Sequence, residues 1–191
     1  MTDNVFERFQ QTGEDLAWNR LTTTHGGNMS LRHQGRMAIT THFSMPGRLL
    51  PGNVVEIPLR EEPDRFASDA SWDAPLHQLI YKFTPAGAII HAHPAYAVAI
   101  SLRYDIVTPI DTEGSVLLRE VAVVAPEDAS SRLPQVLQTT VVAIVRGHGS
   151  YAVGRTLNEA LAFTAAMEFS CKVLMLSARH QAKIDRRPAG S

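Results

Sequence analysis

Two histidines one residue apart, His91 and His93 in His91-Ala92-His93, close the apolar run Gly87-Ala88-Ile89-Ile90 and are followed at once by Pro94. On a strand, residues i and i+2 point to the same face, so both imidazoles can reach one ion. Pro94 ends the strand there and puts the pair at an edge where solvent and substrate can enter. His148, between Gly147 and Gly149 after the run Val141–Val145, offers a third imidazole. Three histidines with an open fourth position are the usual plan of a catalytic zinc site. The spacing leaves a second reading open, in which these are two surface histidines beside a proline and one turn histidine.

Asp73 stands just before an amphipathic stretch, where a carboxylate either caps a helix or is free for acid–base work; Ser71 could fill the same capping role. His25-Gly26-Gly27-Asn28 is a candidate anion loop, because glycines let backbone amides approach a phosphate or carboxylate, and an ordinary turn is its alternative. Thr40-Thr41-His42 at a strand end could join it. Asp111 and Glu113 lie in Pro109-Ile110-Asp111-Thr112-Glu113-Gly114, which reads as a solvated loop unless the fold carries it to the metal. His33, His77 and His180 read as surface residues, although His77 falls four after Asp73, the spacing of a helical contact.

These residues need a scaffold, and the composition supports one. The 191 residues are 45% hydrophobic and 19% charged, values of a globular domain rather than a disordered chain. Eighteen basic against 19 acidic residues, net −1, give no footprint for nucleic acid or an anionic membrane. A single cysteine, Cys171, excludes an internal disulfide framework and points to a reducing, cytoplasmic setting, so a transition-metal site must use the eight histidines and carboxylates. The polar start Met1-Thr2-Asp3-Asn4 does not read as a signal peptide, and no run is expected to reach the roughly 18 apolar residues of a membrane span.

Apolar spacing predicts a first helix over Asn4–Leu21 with Phe6, Phe9, Leu16 and Ala17 on one face. Strands are expected at Met29–Arg32, Met37–Thr41 and Val54–Leu59, then a helix from about Ser71 with Leu76, Leu79, Ile80 and Phe83 facing inward. The His-x-His strand leads into a helix Ala95–Leu102. A helix over Ser131–Thr139 carries Pro134 in its first turn, and strands Val141–Val145 and Ser150–Val153 follow. The last helix opens on the capping box Thr156-Leu157-Asn158-Glu159 and is apolar on most sides, with Leu161, Phe163, Met167, Phe169, Val173 and Leu176, as if covered by core or by another subunit. The whole predicts an α/β domain over residues 1–177, a central, mainly antiparallel sheet with helices on it, and a polar tail from 178 to 191.

In order along nearly the whole chain, four segments resemble the class II aldolase/adducin family. They are Gly27-Asn28-Met29-Ser30; Ser71-Trp72-Asp73-Ala74-Pro75-Leu76-His77; His91-Ala92-His93-Pro94; and Gly147-His148-Gly149 with Gly154-Arg155-Thr156-Leu157-Asn158-Glu159-Ala160 behind it. The resemblance implies a three-layer α/β/α domain with zinc, or another divalent ion such as Mn2+ or Co2+, on His91, His93 and His148. It further implies a homotetramer with active sites at subunit contacts and a small hydroxy-ketone or sugar-derived substrate. Asp73 would be resting metal ligand and base, Glu113 the group that protonates the leaving aldehyde oxygen, and the reaction carbon–carbon cleavage through a metal-stabilised enediolate. A decarboxylase or epimerase on the same site is the first alternative, and a non-catalytic adducin-like scaffold a more distant one.

Three departures bear on the substrate. Asp73 is one methylene shorter than the usual glutamate. Trp72 replaces a serine of the phosphate-holding pair. Thr41-His42-Phe43 replaces a small Thr-(Ser/Thr)-Gly turn. Substrate contacts are therefore expected from Gly27, Asn28, Thr41, Ser71, Trp72, His25 and His42, to a substrate with a carboxylate or with no anionic tail.

Overall fold

In a computed structural model, residues 3–59 and 69–184 are described. Eight strands form one sheet, in the order β3-β2-β1-β4-β8-β7-β6-β5. They are β1 (Asn28–His33), β2 (Arg36–Thr40), β3 (Val54–Pro58), β4 (Ala88–Ala92), β5 (Ile106–Val107), β6 (Val121–Val124), β7 (Val142–Val145) and β8 (Gly149–Gly154). Every neighbouring pair is antiparallel except β6 and β7. The helices are α1 (Asp3–Trp18), α2 (Ala74–Phe83), α3 (Ala95–Ser101), α4 (Thr112–Leu117), α5 (Ala129–Val136) and α6 (Leu157–Ile184). α5 makes the crossover that the parallel pair requires.

Strand alternation sorts the core into two layers, giving the expected α/β/α sandwich. Met29, Leu31, Ile90, Val142, Ile144 and Ala152 face α1, α3 and α6, while Met37, Ile39, Ile89, Ala143, Val145, Tyr151 and Val153 face α2 and α5. His91, two residues after Ile89, is thus on the α2 side of the sheet.

Several details differ from the sequence reading. Ala17 is exposed; Val5, Phe9, Thr12 and Leu16 form the buried stripe of α1. α2 buries Ala74, His77, Ile80 and Tyr81, whereas Phe83 is 49% exposed. His77 is therefore no surface residue: it is fully buried. α5 begins at Ala129, so Pro134 lies inside the helix rather than in its first turn. The Asp111 and Glu113 segment is a helix, α4, with the Asp111 carboxylate accepting from the Gly114 amide at 2.8 Å as its N-cap. At the start of α6 the Thr156 hydroxyl accepts from the Glu159 amide at 3.2 Å, but the Glu159 carboxylate reaches back to the amide of Arg155 rather than of Thr156.

α6 continues to Ile184, past residue 178 where the polar tail was expected; the side chain of His180 and residues 185–191 lie outside the described residues. A 22-residue part of it, Leu157–Ala178, is long and apolar enough to cross a membrane, contrary to expectation. Here that stretch packs on β4, β8, α1, α3 and α4. Its Glu168 carboxylate accepts from the Tyr96 and Ala97 amides at 3.0 and 2.9 Å and so anchors the start of α3. Cys171 is fully buried in the same helix, and burial pushes its thiol up to about 12.

Candidate active site

Sheet register assembles the site from distant residues. His91 on β4 lies opposite Asn28 of β1 and opposite Tyr151 of β8, so the three form one row across neighbouring strands. The His91 and Tyr151 rings stack, with centroids 4.2 Å apart and planes at 14°. His93 follows the last residue of β4, and His148 sits in the turn between β7 and β8, where Gly147 takes φ +68°.

Glycines let these histidines close up. A Cβ on Gly149 would lie 2.3 Å from the Ala92 carbonyl oxygen and 2.8 Å from His93 Cδ2, and one on Gly27 would lie 2.4 Å from the His91 carbonyl oxygen. Gly27 also has φ +79°, a conformation that glycine adopts freely.

Ligand nitrogens of His91, His93 and His148 all lie within 4.8 Å of one another. His91 Nδ1 donates to the Ser150 carbonyl at 3.0 Å, which fixes the tautomer and leaves the Nε2 lone pair turned to His93 Nε2 at 2.9 Å. Two nitrogens bound to one ion at about 2.0–2.1 Å sit roughly 3.3 Å apart, so this pair is spaced for a shared cation. Burial lowers His91 to about 3, with Asp73 opposing and His93 and His148 adding to the fall. Burial and His148 also lower His93. Both therefore present neutral nitrogens at pH 7, the form that binds a metal.

Asp73 occupies the N-cap position of α2, yet its side chain makes no capping bond. Its Oδ2 instead accepts from Asn28 Nδ2 at 2.7 Å and the Tyr151 hydroxyl at 3.1 Å, and stands 3.7 Å from His91 Nε2. Burial works against its charge, but His91, the Asn28 amide, His77 and the Tyr151 hydroxyl outweigh it, and the carboxyl titrates below the ordinary carboxylate value. Burial and the Asp73 charge in turn raise the Tyr151 phenol, which stays a hydrogen-bond donor.

Behind Asp73, α2 tracks β1. His77 Nδ1 is 2.7 Å from Ser30 Oγ, Ser30 Oγ is 2.9 Å from the Tyr81 hydroxyl, and Arg32 Nη2 donates to the Tyr81 carbonyl at 2.7 Å. The positions 73, 77 and 81 thus meet 28, 30 and 32. Four helical residues advance about 6.0 Å and two strand residues about 6.6–6.8 Å, so the two elements stay in step.

An open cleft of about 300 Å³ lies over the histidines. It brings together His25, Gly27, Asn28, Thr41, His42, Ser71, Trp72, Asp73, His91, His93 and His148, with Gly26, Phe43 and Ser44 beside them. A bridge between Thr41 and Ala70 draws the 41–43 turn against Ser71 and Trp72. Glu113 is not among the lining residues: it is exposed on α4. Tyr151 escaped the sequence reading, Ser30 was read only as the end of the Gly27-Asn28-Met29-Ser30 segment with no role assigned, and His77 was set aside although its spacing from Asp73 was the available signal.

Residues 7–175 match the family described as Class II Aldolase and Adducin N-terminal domain. The chain belongs to this family. Within it, the chain is 29% identical over 194 residues to a methylthioribulose-1-phosphate dehydratase of Gluconobacter oxydans, covering 91% of this chain and 93% of that protein. A protein of the same description from Acidiphilium cryptum is 30% identical over 167 residues, 76% of this chain and 79% of that one. Among solved structures, the l-fuculose-1-phosphate aldolase of Thermus thermophilus superposes with a TM-score of 0.89 at 33% identity, covering 99% of this chain and 100% of that one.

Proposed function

We propose that this class II aldolase family member is a metal-dependent lyase that cleaves a carbon–carbon bond in a small hydroxy-ketone. The observation that carries the reading is a carboxylate, Asp73, pinned by Asn28 and Tyr151 within 3.7 Å of one of three converging imidazoles. His91, His93 and His148 would hold a divalent ion, zinc or else Mn2+ or Co2+, which when bound supplies Lewis-acid polarisation of a carbonyl and its neighbouring hydroxyl.

The chain's own groups handle the protons. Asp73 is ionised at neutral pH; with Oδ2 engaged, it offers Oδ1 to exchange a proton at the carbon next to the carbonyl. In cleavage Glu113 takes the proton of the β-hydroxyl, the carbon–carbon bond breaks to release an aldehyde, and the electron pair left on the α-carbon takes up a solvent proton relayed through Asp73, which starts and ends the step ionised. Glu113 is our candidate for the hydroxyl proton. Since it does not line its own cleft, this role requires a neighbouring subunit, in keeping with a homotetramer that has active sites at its contacts. Val116, Phe169 and Leu176, apolar and 73, 50 and 49% exposed on α4 and α6, support such a contact.

The dehydratase relatives favour a second reading on the same groups. Asp73 would remove the proton next to the carbonyl and return it to the departing β-hydroxyl, which leaves as water as the carbon–carbon double bond forms. Product analysis separates the readings, since cleavage yields an aldehyde and a shorter ketone, whereas dehydration keeps every carbon and loses the mass of one water; carbon dioxide release or an inverted stereocentre would replace both by decarboxylation or epimerisation. About one divalent ion per chain is expected, lost in His93→Ala, while Asp73→Ala keeps most of the metal and loses turnover. Full metal in His93→Ala would overturn the reading. Mixed oligomers of His93→Ala and Glu113→Gln chains should regain activity that neither has alone; no recovery would remove Glu113 from its role.

A further inference from the structure

The mouth of the cleft carries an aromatic corner. His42 and Trp72 are stacked, with centroids 5.8 Å apart and planes 8° apart, and Phe43 meets them edge-on at 5.1 and 5.4 Å. Phe43 and Trp72 are each 70% exposed, although both line the cleft. Phe43 also holds φ +59°, a backbone conformation unfavourable for a bulky residue, in a turn tied by Ser44 to the Thr41 carbonyl and by His25 Nδ1 to the Phe43 carbonyl at 3.1 Å. Outliers of this kind cluster where a side chain must be presented to a ligand. Among the described residues the lining includes no lysine or arginine, and its carboxylate, Asp73, repels an anion.

We propose that His42, Phe43 and Trp72 form a subsite for an aromatic or other flat apolar tail of the substrate, which rests on the metal-dependent lyase reading of the same cleft. The hydroxy-ketone end enters the polar floor of Asn28, Asp73 and the three histidines, and the tail lies against the rings at the rim. Stacked and edge-on ring contacts favour such a group, whereas among the described lining residues a phosphate finds no lysine or arginine to pair with.

Calorimetric titration of metal-loaded protein with three ligands that share one end tests this: dihydroxyacetone, its phosphate monoester and its monobenzyl ether. The benzyl ether is expected to bind about tenfold more tightly than dihydroxyacetone, with the phosphate ester no tighter than dihydroxyacetone. Phe43→Gly and Trp72→Ser should each remove the benzyl advantage while leaving dihydroxyacetone binding within about twofold. A phosphate ester that outbinds the benzyl ether would overturn the subsite, as would a benzyl advantage that survives both substitutions. So would a Trp72→Ser protein that changes sedimentation but not benzyl binding, because the rings would then belong to a subunit contact. Titration of His93→Ala separates the two levels. Undiminished dihydroxyacetone binding there defeats the lyase reading, while a benzyl preference that persists in that variant still upholds the aromatic corner.

Discussion

Tyr151→Phe removes one hydroxyl and leaves the ring that stacks on His91 at 4.2 Å. The lost hydrogen bond is charge-assisted, from the Tyr151 hydroxyl to Asp73 Oδ2 at 3.1 Å. Bonds to charged groups contribute about 1.5–3 kcal/mol, and one pKa unit corresponds to about 1.36 kcal/mol, so the carboxyl should rise by about one to two units. Its partner Asn28 remains at 2.7 Å, and Tyr151 ranks below His91, Asn28 and His77 in holding the carboxyl down, which places the expected rise near one unit. A higher carboxyl pKa moves the acid limb of turnover up by about one pH unit and leaves the plateau above neutrality nearly unchanged, because Asp73 is still ionised there. Stability changes in the same sense. A depressed carboxyl contributes stability above its unfolded value of 3.8 that is lost as pH falls through the folded value, so the variant should lose less on acidification than the wild type. The assay is kcat/KM against pH for the hydroxy-ketone cleavage, with metal content measured on the same samples. An unmoved acid limb in a fully metallated variant would refute the assignment of Tyr151, and so would a uniform loss of turnover at every pH.

Two further perturbations address the scaffold. Burial lowers His77 to about 4 from 6.5, so the unfolded chain takes up the proton first; stability is greatest above pH 6.5 and falls toward pH 4 by up to about 3 kcal/mol. His77→Gln keeps a partner for Ser30 without a titrating ring, so its urea midpoints should vary less across that window, and equal pH dependence in both proteins would contradict the buried, neutral ring. Gly149→Ala and Gly27→Ala each force a methyl into the backbone beneath the histidine pair and should weaken metal affinity by about 10- to 100-fold in competition with a chelator. Unchanged affinity in both would show that the pair tolerates displacement.

Much of this molecule was legible in its residues, and the parts that were not have common causes. β1, β2, β3, β4, β7 and β8 carry alternation or apolar runs bounded by turn residues, and all were placed within a residue or two. β5 has two residues and α4 six, too few for any period to show, and β6 is four apolar residues whose pairing with β7 is made by a crossover. In the site, His91 and His93 share a local spacing that strand geometry interprets directly. Tyr151 has no such signature, since its place beside His91 and Asp73 is a matter of register between β4 and β8. Asp73 shows the limit of local reading from the other side: its position is a cap position, but the partners that draw it away from capping come from β1 and β8. The inward face of α2 was misread at Phe83 because apolar spacing ignores polar partners, and His77 and Tyr81 are buried through Ser30 and Arg32.

The match of step between α2 and β1 has an evolutionary and engineering consequence. The carboxylate is delivered from the start of a helix whose next two turns are clasped to the same strand, so its placement depends on chain length as well as residue identity. One residue inserted between Asp73 and His77 would turn the carboxylate by about 100° about the helix axis. Such an insertion acts as a frameshift in three dimensions: either the His77 and Tyr81 clasp is kept and the acid faces away from the histidines, or the acid is kept and the clasp unpairs. Loop grafting that aims to alter specificity should therefore leave the spacing of Asp73, His77 and Tyr81 unchanged.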